Sequence, residues 1–388
     1  MLYDAVILGA GAAGLMCARV AARRGLAIAL VDHAAQAGGK IPISGGGKAN
    51  FTNTVMGQEY FYGKHTDFCA YALECFGTQD MLHLLAGWGI PWQERSHGQL
   101  FCTESARLLA NSLVDDARRA ATAFFLQRSI LACRPAPHGF TIETDHENLQ
   151  AKQVVLALGS PAWPQMGATD RGAQLARALG LKLAPFRPVL TPLTMPQNWI
   201  LQGLTGISLP VGIAVGGQTF YNDLLFTHQG ISGPAALKAS IAWQAGHTIC
   251  IDFMPQQAFA TLLDAPECGK LLVRTLLCRH VPQRLAEALL PPELSKRKVA
   301  ELSRANRNVL HTCVHKHSCL PVGNAGMKKA EACLGGVLTE GIDQYTMESL
   351  HQEGLFVVGE LLDITGLLGG YNLHWAWASG FVAGQSLR

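Results

Sequence analysis

Asp4-Ala5-Val6-Ile7-Leu8-Gly9-Ala10-Gly11-Ala12-Ala13-Gly14, read together with Ala29-Leu30-Val31-Asp32, decides the fold of this chain. Ala5–Leu8 is a short apolar run of the kind a buried parallel strand needs. Gly9 makes the tight turn out of it. Gly11 leaves no side chain where a pyrophosphate would approach the backbone, and Gly14 lets the following helix lie on the strand. The N-terminus of that helix offers free N–H groups and a positive dipole end, which adds Ala12 and Ala13 to the expected contact set. Asp32 stands at the end of the next apolar run, 23 residues after Gly9. A carboxylate there accepts from a ribose 2′-OH and repels a 2′-phosphate. Strand, G-x-G-x-x-G, helix and acid together predict a dinucleotide-binding βαβ unit.

With 388 residues the chain can form two or three domains with proper cores. Its formal net charge of +3 weighs against nucleic acid or an anionic membrane as partner. The run Lys296-Arg297-Lys298 is flanked by Glu293 and Glu301 and reads as a solvated helix face. The first apolar stretch is the nucleotide-binding strand and helix, so no signal peptide is expected. No apolar run reaches the roughly 18 residues a membrane span requires. The 11 cysteines form no C-x-x-C pair. That predicts reduced thiols in a cytoplasmic setting and removes a C-x-x-C dithiol relay.

Three blocks follow one another. Residues 1–188 have α/β texture, with helical patterns around 67–88 and 105–123 and strand-like runs at 140–144 and 153–158. Residues 189–253 and 318–336 read as a small β unit, with short runs at 211–215 and 248–252. Residues 254–317 read as several helices, punctuated by Pro282 and Pro291-Pro292. From 337 the α/β character returns, so 1–188 and 337–388 are expected to form one discontinuous domain.

Three further motifs favour FAD over NAD. The first is Gly38-Gly39-Lys40-Ile41-Pro42-Ile43-Ser44-Gly45-Gly46-Gly47-Lys48-Ala49-Asn50, whose backbone amides can approach both a pyrophosphate and a flat isoalloxazine. The second is a pair of apolar strands ending on glycine, at Ala157–Gly159 and at Gly359-Glu360. The acid of the second pair can bind ribityl hydroxyls. The third is Gly369-Gly370-Tyr371-Asn372, opening an apolar helix whose dipole would face the flavin. No second G-x-G-x-x-G with a following acid is present. A nicotinamide cofactor, NAD(P)H, would therefore dock transiently.

Together with Leu225-Phe226-Thr227-His228-Gln229-Gly230-Ile231-Ser232-Gly233-Pro234 and Ala330–Gly336, these motifs cover nearly the whole chain. It resembles the BaiN-like flavoproteins, also called the aminoacetone-oxidase family. The resemblance implies a Rossmann-like two-dinucleotide-binding-type FAD domain, interrupted by a β-barrel-like insert and a small helical insert; no His or Cys sits in a flavinylation motif, so the FAD is expected to be non-covalent. Carried onto matching positions, the expected FAD contacts are Gly9, Gly11, Gly14, Asp32, Lys40, Ser44, Gly46, Gly47, Asn50, Gly159, Gly359, Glu360, Gly370, Tyr371 and Asn372; Gly39, Gly45, Ala157 and Gly369, in the same motifs, complete the expected contact set. The family often carries Cys in place of Ala49, so a thiol there is excluded. It often carries Gln in place of His374, which is left without a role.

Flavin chemistry asks the protein mainly to position substrate and supply a proton. His228 precedes Ser232-Gly233-Pro234, a cap followed by Pro near the start of a helix. Its imidazole is either a proton donor or a group that stabilises this turn. Tyr371 either faces the flavin or packs on it. His311, Cys313, His315, His317 and Cys319 would share one face if extended, but their spacing is not that of a zinc site, and no metal is expected. The expected activity is an FAD-dependent oxidoreductase, reduced by NAD(P)H, passing a hydride to an unsaturated or carbonyl-conjugated small molecule. The alternatives are an oxygen-using amine oxidase and a non-catalytic flavin sensor. An RNA-modifying relative is disfavoured by the modest charge.

Overall fold

A computed structural model describes residues 2–388; Met1, the first residue of the 1–188 segment, lies outside the described residues. The chain divides into two compact units, residues 1–188 with 332–388 and residues 189–331.

Unit 1 is built around the predicted βαβ unit. Strand β1 (Leu2–Leu8) leads through Gly9 into helix α1 (Ala12–Arg23), which returns to strand β2 (Ile28–Val31). β1 lies between β2 and the strand Asn148–Leu156, both parallel to it, and the late strand Leu355–Val357 is parallel to the far side of Asn148–Leu156. At residues 5–8, 28–31, 153–156 and 355–357 of these parallel strands every residue is buried, as a sheet covered on both faces requires. The registers align Leu8 with Val31 and with Leu156, and Leu156 with Val357. Gly9, Asp32, Ala157 and Gly359 therefore emerge along one carboxyl edge, where ligands bind in such sheets. A hairpin of Ile130–Ala136 and Gly139–Thr144 extends the sheet antiparallel on one side, and Ala123–Phe125 extends it parallel on the other.

The C-terminal helix Tyr371–Ser386 packs along α1. A methyl group at Gly380 would sit 2.3 Å from the Ala13 carbonyl oxygen, and one at Gly384 2.8 Å from that of Cys17. The two helices meet backbone to backbone. The chain leaves unit 1 along Leu183–Val189 and returns along Ala332–Val337, and these strands pair with each other. Residues 332–336, read from sequence with the insert, thus lie in unit 1.

Unit 2 holds a seven-stranded sheet in the order His317–Cys319, Ile249–Asp252, Ser208–Val215, Gln218–Thr227, Gly230–Ser232, Leu193–Thr194, Gly323–Asn324. The β-barrel-like expectation is corrected here. Among the described residues the two end strands do not pair with each other, so the sheet is open. Each end strand is only two or three residues long, too short to offer a closing ladder. The segment 254–317 is helical, as read, but it belongs to the same compact unit. Its prolines start helices rather than stop them: Pro282 precedes Gln283–Leu289, and Pro292 opens Pro292–Ser295.

Among the described residues all 11 cysteines are free, and no helix is long and apolar enough to cross a membrane.

Candidate functional site

The carboxyl edge of the unit 1 sheet gathers the predicted motifs, and glycine geometry sorts them into two sets. The first set is occupied by protein. Gly9 has φ 109°, and a methyl group there would lie 2.4 Å from the Ala157 carbonyl oxygen; at Gly14 it would lie 1.9 Å from the Gly9 oxygen. Both are close approaches of backbone to backbone, as the fingerprint reading expects. Gly45, Gly359, Gly369 and Gly370 are likewise pressed against protein atoms. Ala157 and Ala13 face Gly14 and Gly359. Sequence reasoning placed all of these at the cofactor; their side-chain space is filled by packing.

The second set is open. Nothing lies within 4 Å of a methyl group built on Gly11, Gly39 or Gly46, and at Gly159 only Glu360 Oε2 comes near, at 3.8 Å. Helix α1 begins at Ala12 with no capping side chain, which leaves its first N–H groups to an external acceptor. Glu360 carries a buried Oε1 with no hydrogen-bond partner, while its Oε2 is 3.3 Å from Lys40 Nζ. Lys40 also donates to the Ser160 carbonyl at 3.4 Å. A buried acceptor without a donor is costly, and a hydroxyl-bearing ligand would satisfy it. Open backbone, an uncapped helix start and an orphaned carboxylate oxygen along one sheet edge fit a ribityl and pyrophosphate chain. These residues would hold FAD.

Other predicted contacts have protein partners that the sequence did not reveal. Asp32 accepts from the Ala10 N–H at 2.6 Å and from the Ala34 N–H at 2.8 Å, so its carboxylate also clamps the first glycine turn. Ser44 Oγ donates to the Ile41 carbonyl. The run Gly45, Gly46, Gly47 has φ of 55°, 66° and 86°, a left-handed path that only glycines follow without strain. Asn372 grips Gly366 at both ends, accepting from its N–H and donating to its carbonyl, each at 2.8 Å. With its amide turned to fit its neighbours, Asn50 accepts from the Gly370 N–H at 3.1 Å. Asn53 donates to the Gly369 carbonyl at 2.9 Å. The glycine-rich loop and the start of the last helix thus brace each other.

Tyr371 stacks on Tyr60, with ring centroids 4.7 Å apart, and meets Phe61 edge-on. Burial, with Tyr60 and Glu59 adding, pushes its phenol far above the usual range. The ring is held by these two aromatic neighbours, and the phenol stays protonated. His228 is exposed, in the turn between Gln218–Thr227 and Gly230–Ser232 of unit 2. That turn is held by Thr227 Oγ1, which donates to the Gly230 carbonyl, and by Gln202, which donates to the His228 carbonyl. The imidazole makes none of these bonds.

Residues that sequence reasoning missed lie on the last helix. Ser379 Oγ accepts from the Gly359 N–H, Trp375 Nε1 donates to the Gly359 carbonyl, and Trp377 Nε1 donates to the Phe51 carbonyl. His374 is fully buried between Thr52 Oγ1, 2.7 Å from Nδ1, and the Phe76 carbonyl, 2.9 Å from Nε2. Because the carbonyl only accepts, Nε2 carries the hydrogen and Nδ1 accepts from Thr52. Burial lowers this imidazole to about 4. The spacing of Gly380 and Gly384, four apart on an apolar helix, was the one available signal of close packing. Beside the site, burial first and then Glu360 push the Cys333 thiol up to about 12, so it stays protonated.

The His/Cys run does not form the extended face considered above. Arg304–His315 is a helix, and His315 is committed on both sides, to Asp252 at 2.8 Å and to the Phe259 N–H at 2.9 Å.

Residues 3–386 match the family model described as HI0933-like protein Rossmann domain. The ribosomal RNA dihydrouridine synthase of Escherichia coli is 35% identical over 99% of this chain and 98% of its own length. The 3-dehydro-bile acid delta(4,6)-reductase of Clostridium scindens is 29% identical over 98% of each. Among solved structures, 3-ketosteroid-delta4-(5alpha)-dehydrogenase from Rhodococcus jostii shares the fold with a TM-score of 0.52 at 16% identity, covering 99% of this chain and 96% of that one. The chain therefore belongs to the HI0933-like Rossmann-domain family of FAD-binding oxidoreductases, in agreement with the resemblance its motifs carry.

Proposed function

We propose that this protein is a reductase that adds a hydride to a carbon–carbon double bond conjugated with a carbonyl, and that its acceptor is a uracil ring in ribosomal RNA. The observation that carries this reading is the 35% identity, across the full chain, to two relatives named as ribosomal RNA dihydrouridine synthases. Saturating uracil C5=C6 is a conjugate reduction, because that bond is conjugated with the C4 carbonyl. A delta(4,6) bile acid with a 3-oxo group presents the same kind of bond, and the reductase named for it is 29% identical. A small-molecule enone is accordingly the second reading. NAD(P)H is the proposed reductant, and the cytoplasm the proposed location.

Gly11, Gly39, Gly46, Lys40 and Glu360 are the residues that would hold FAD. When bound and reduced by NAD(P)H, FAD would supply the hydride. The chain itself must supply a proton to the carbon next to the carbonyl, and the unbonded imidazole of His228 is the proposed donor.

The test is direct. FAD-loaded enzyme, NADPH or NADH, and protein-free ribosomal RNA from an Escherichia coli strain lacking its own synthase are incubated, and digested nucleosides are weighed by mass spectrometry. A uridine heavier by two hydrogens is expected. Unmodified RNA together with turnover of a 3-oxo-delta4 steroid would replace this reading with the small-molecule one. His228→Asn should keep FAD and its reduction by NAD(P)H, yet slow the acceptor half-reaction by roughly 10²–10⁴-fold. Two unchanged half-reactions would remove His228 from the chemistry.

A further inference from the structure

The net charge of +3 conceals an uneven distribution. Residues 254–317 contain ten Lys and Arg against five Asp and Glu, a surplus of +5, so the remainder of the chain is net −2. The fold concentrates part of that surplus further. Leu272 and Lys298 form an antiparallel bridge, the Val273 N–H donates to the Arg297 carbonyl, and the Val299 N–H donates to the Leu271 carbonyl, each at 2.9 Å. Two segments 26 residues apart therefore run side by side, which puts Arg274 opposite Lys296, and Lys270, opposite Ala300, diagonally across from Lys298. Val273 and Val299 are buried beneath the pairing, and all five basic residues are exposed. The run is thus half of a bridged pair, not the helix face expected from sequence.

The nearby acids pair with only one of the five cations, Arg274. Glu287 lies 3.5 Å from Arg274, and Glu301 accepts from the Lys298 backbone N–H. Lys270, Lys296, Arg297 and Lys298 have no ion-pair partner among the described residues. Closely spaced unpaired cations repel one another. They persist where an anion of similar spacing answers them, and the phosphates of a nucleic acid strand do so.

We propose that this bridged patch of unit 2, centred on Lys270, Lys296 and Lys298, docks the phosphate backbone of RNA. The inference rests on the reading of ribosomal RNA as substrate and assigns the surface that grips it. The patch's expected partners are phosphates, which carry no sequence information. It should position RNA without choosing the uridine.

The test uses the FAD-loaded protein and a fluorescein-labelled single-stranded uridine 20-mer, followed by anisotropy over a range of salt. The variant Lys270→Gln/Lys296→Gln/Lys298→Gln should bind roughly tenfold or more weakly, and its log–log salt slope should be shallower by about 2, near 0.7 per lost phosphate contact. Lys→Arg at the same three positions should restore binding. A control removing three exposed cations of unit 1, Arg134→Gln/Arg177→Gln/Lys182→Gln, should leave affinity near wild type. Equal weakening by both triples would reduce the effect to net charge and overturn the patch. So would wild-type binding by the first triple, or capture of vesicles with 30% phosphatidylserine in preference to the 20-mer. If binding depends on the patch while ribosomal RNA is never reduced, the docking surface stands and the proposed reaction falls.

Discussion

Unit 1 places glycines where backbones touch, while unit 2 places lysines where two short segments are bridged at the surface. In unit 1 the crowding is extreme: a methyl group at Gly14 would overlap the Gly9 carbonyl, and one at Gly380 the Ala13 carbonyl. A residue there is dictated by the atom opposite, and only glycine fits. In unit 2, Lys270 and Lys298 protrude over a small apolar core that includes Val273 and Val299, and nothing in the packing demands a charge at either position. Residues constrained by packing explain the fold. Residues that packing leaves free are where function can be sought. The same division runs within unit 1, between the crowded Gly14 and the open Gly11.

The largest effect separates those two glycines. Gly14→Val should prevent unit 1 from assembling, because its side chain would have to displace backbone; the cost should exceed about 3 kcal/mol, at the severe end for a single substitution. Soluble yield and a thermal melt report it. A folded Gly14→Val protein with normal flavin would show that α1 and β1 are less tightly joined than the structure has them.

Gly11→Val should behave differently. Its side chain enters open space, so the protein should fold with a melting temperature near wild type and be colourless, since the valine would stand where a pyrophosphate approaches. Absorbance at the flavin band against protein concentration measures this. A yellow, stoichiometric Gly11→Val protein would move the phosphates elsewhere.

A smaller, graded effect belongs to His374. Its folded value of about 4 lies below the roughly 6.5 of an unfolded imidazole, so the unfolded chain takes up the proton first. This group's contribution to stability is complete above about pH 6.5 and is lost as pH falls towards 4, by at most about 3 kcal/mol. His374→Gln can still donate to the Phe76 carbonyl and accept from Thr52. It should flatten that part of the pH–stability profile in urea titrations. Identical slopes for the two proteins would mean that His374 is protonated in the folded state.

Much of unit 1 was legible from local pattern. The apolar runs, the three spaced glycines and Asp32 specify strand, turn, helix and strand within about thirty residues, and the structure has them at Leu2–Leu8, Ala12–Arg23 and Ile28–Val31. The final helix starts at Tyr371, inside the motif at 369–372 that was read as its opening. Less legible was which motif residues face outward. Asn372 was read as a cofactor contact and grips Gly366, and Tyr371 lies against Tyr60. A glycine-rich motif looks the same in sequence whether its open side meets a ligand or a neighbouring strand.

By itself the sequence determined the βαβ unit, the class of cofactor and the return of the chain to its first domain, because short-range backbone geometry and strand or helix periodicity set these. Only the tertiary structure decided the rest. It opened the unit 2 sheet, buried His374 between Thr52 and Phe76, left Glu360 Oε1 without a donor, and bridged Leu272 to Lys298. Each of these depends on atoms from segments far apart in the chain, and the spacing of residues along one segment carries no record of what another segment brings against it.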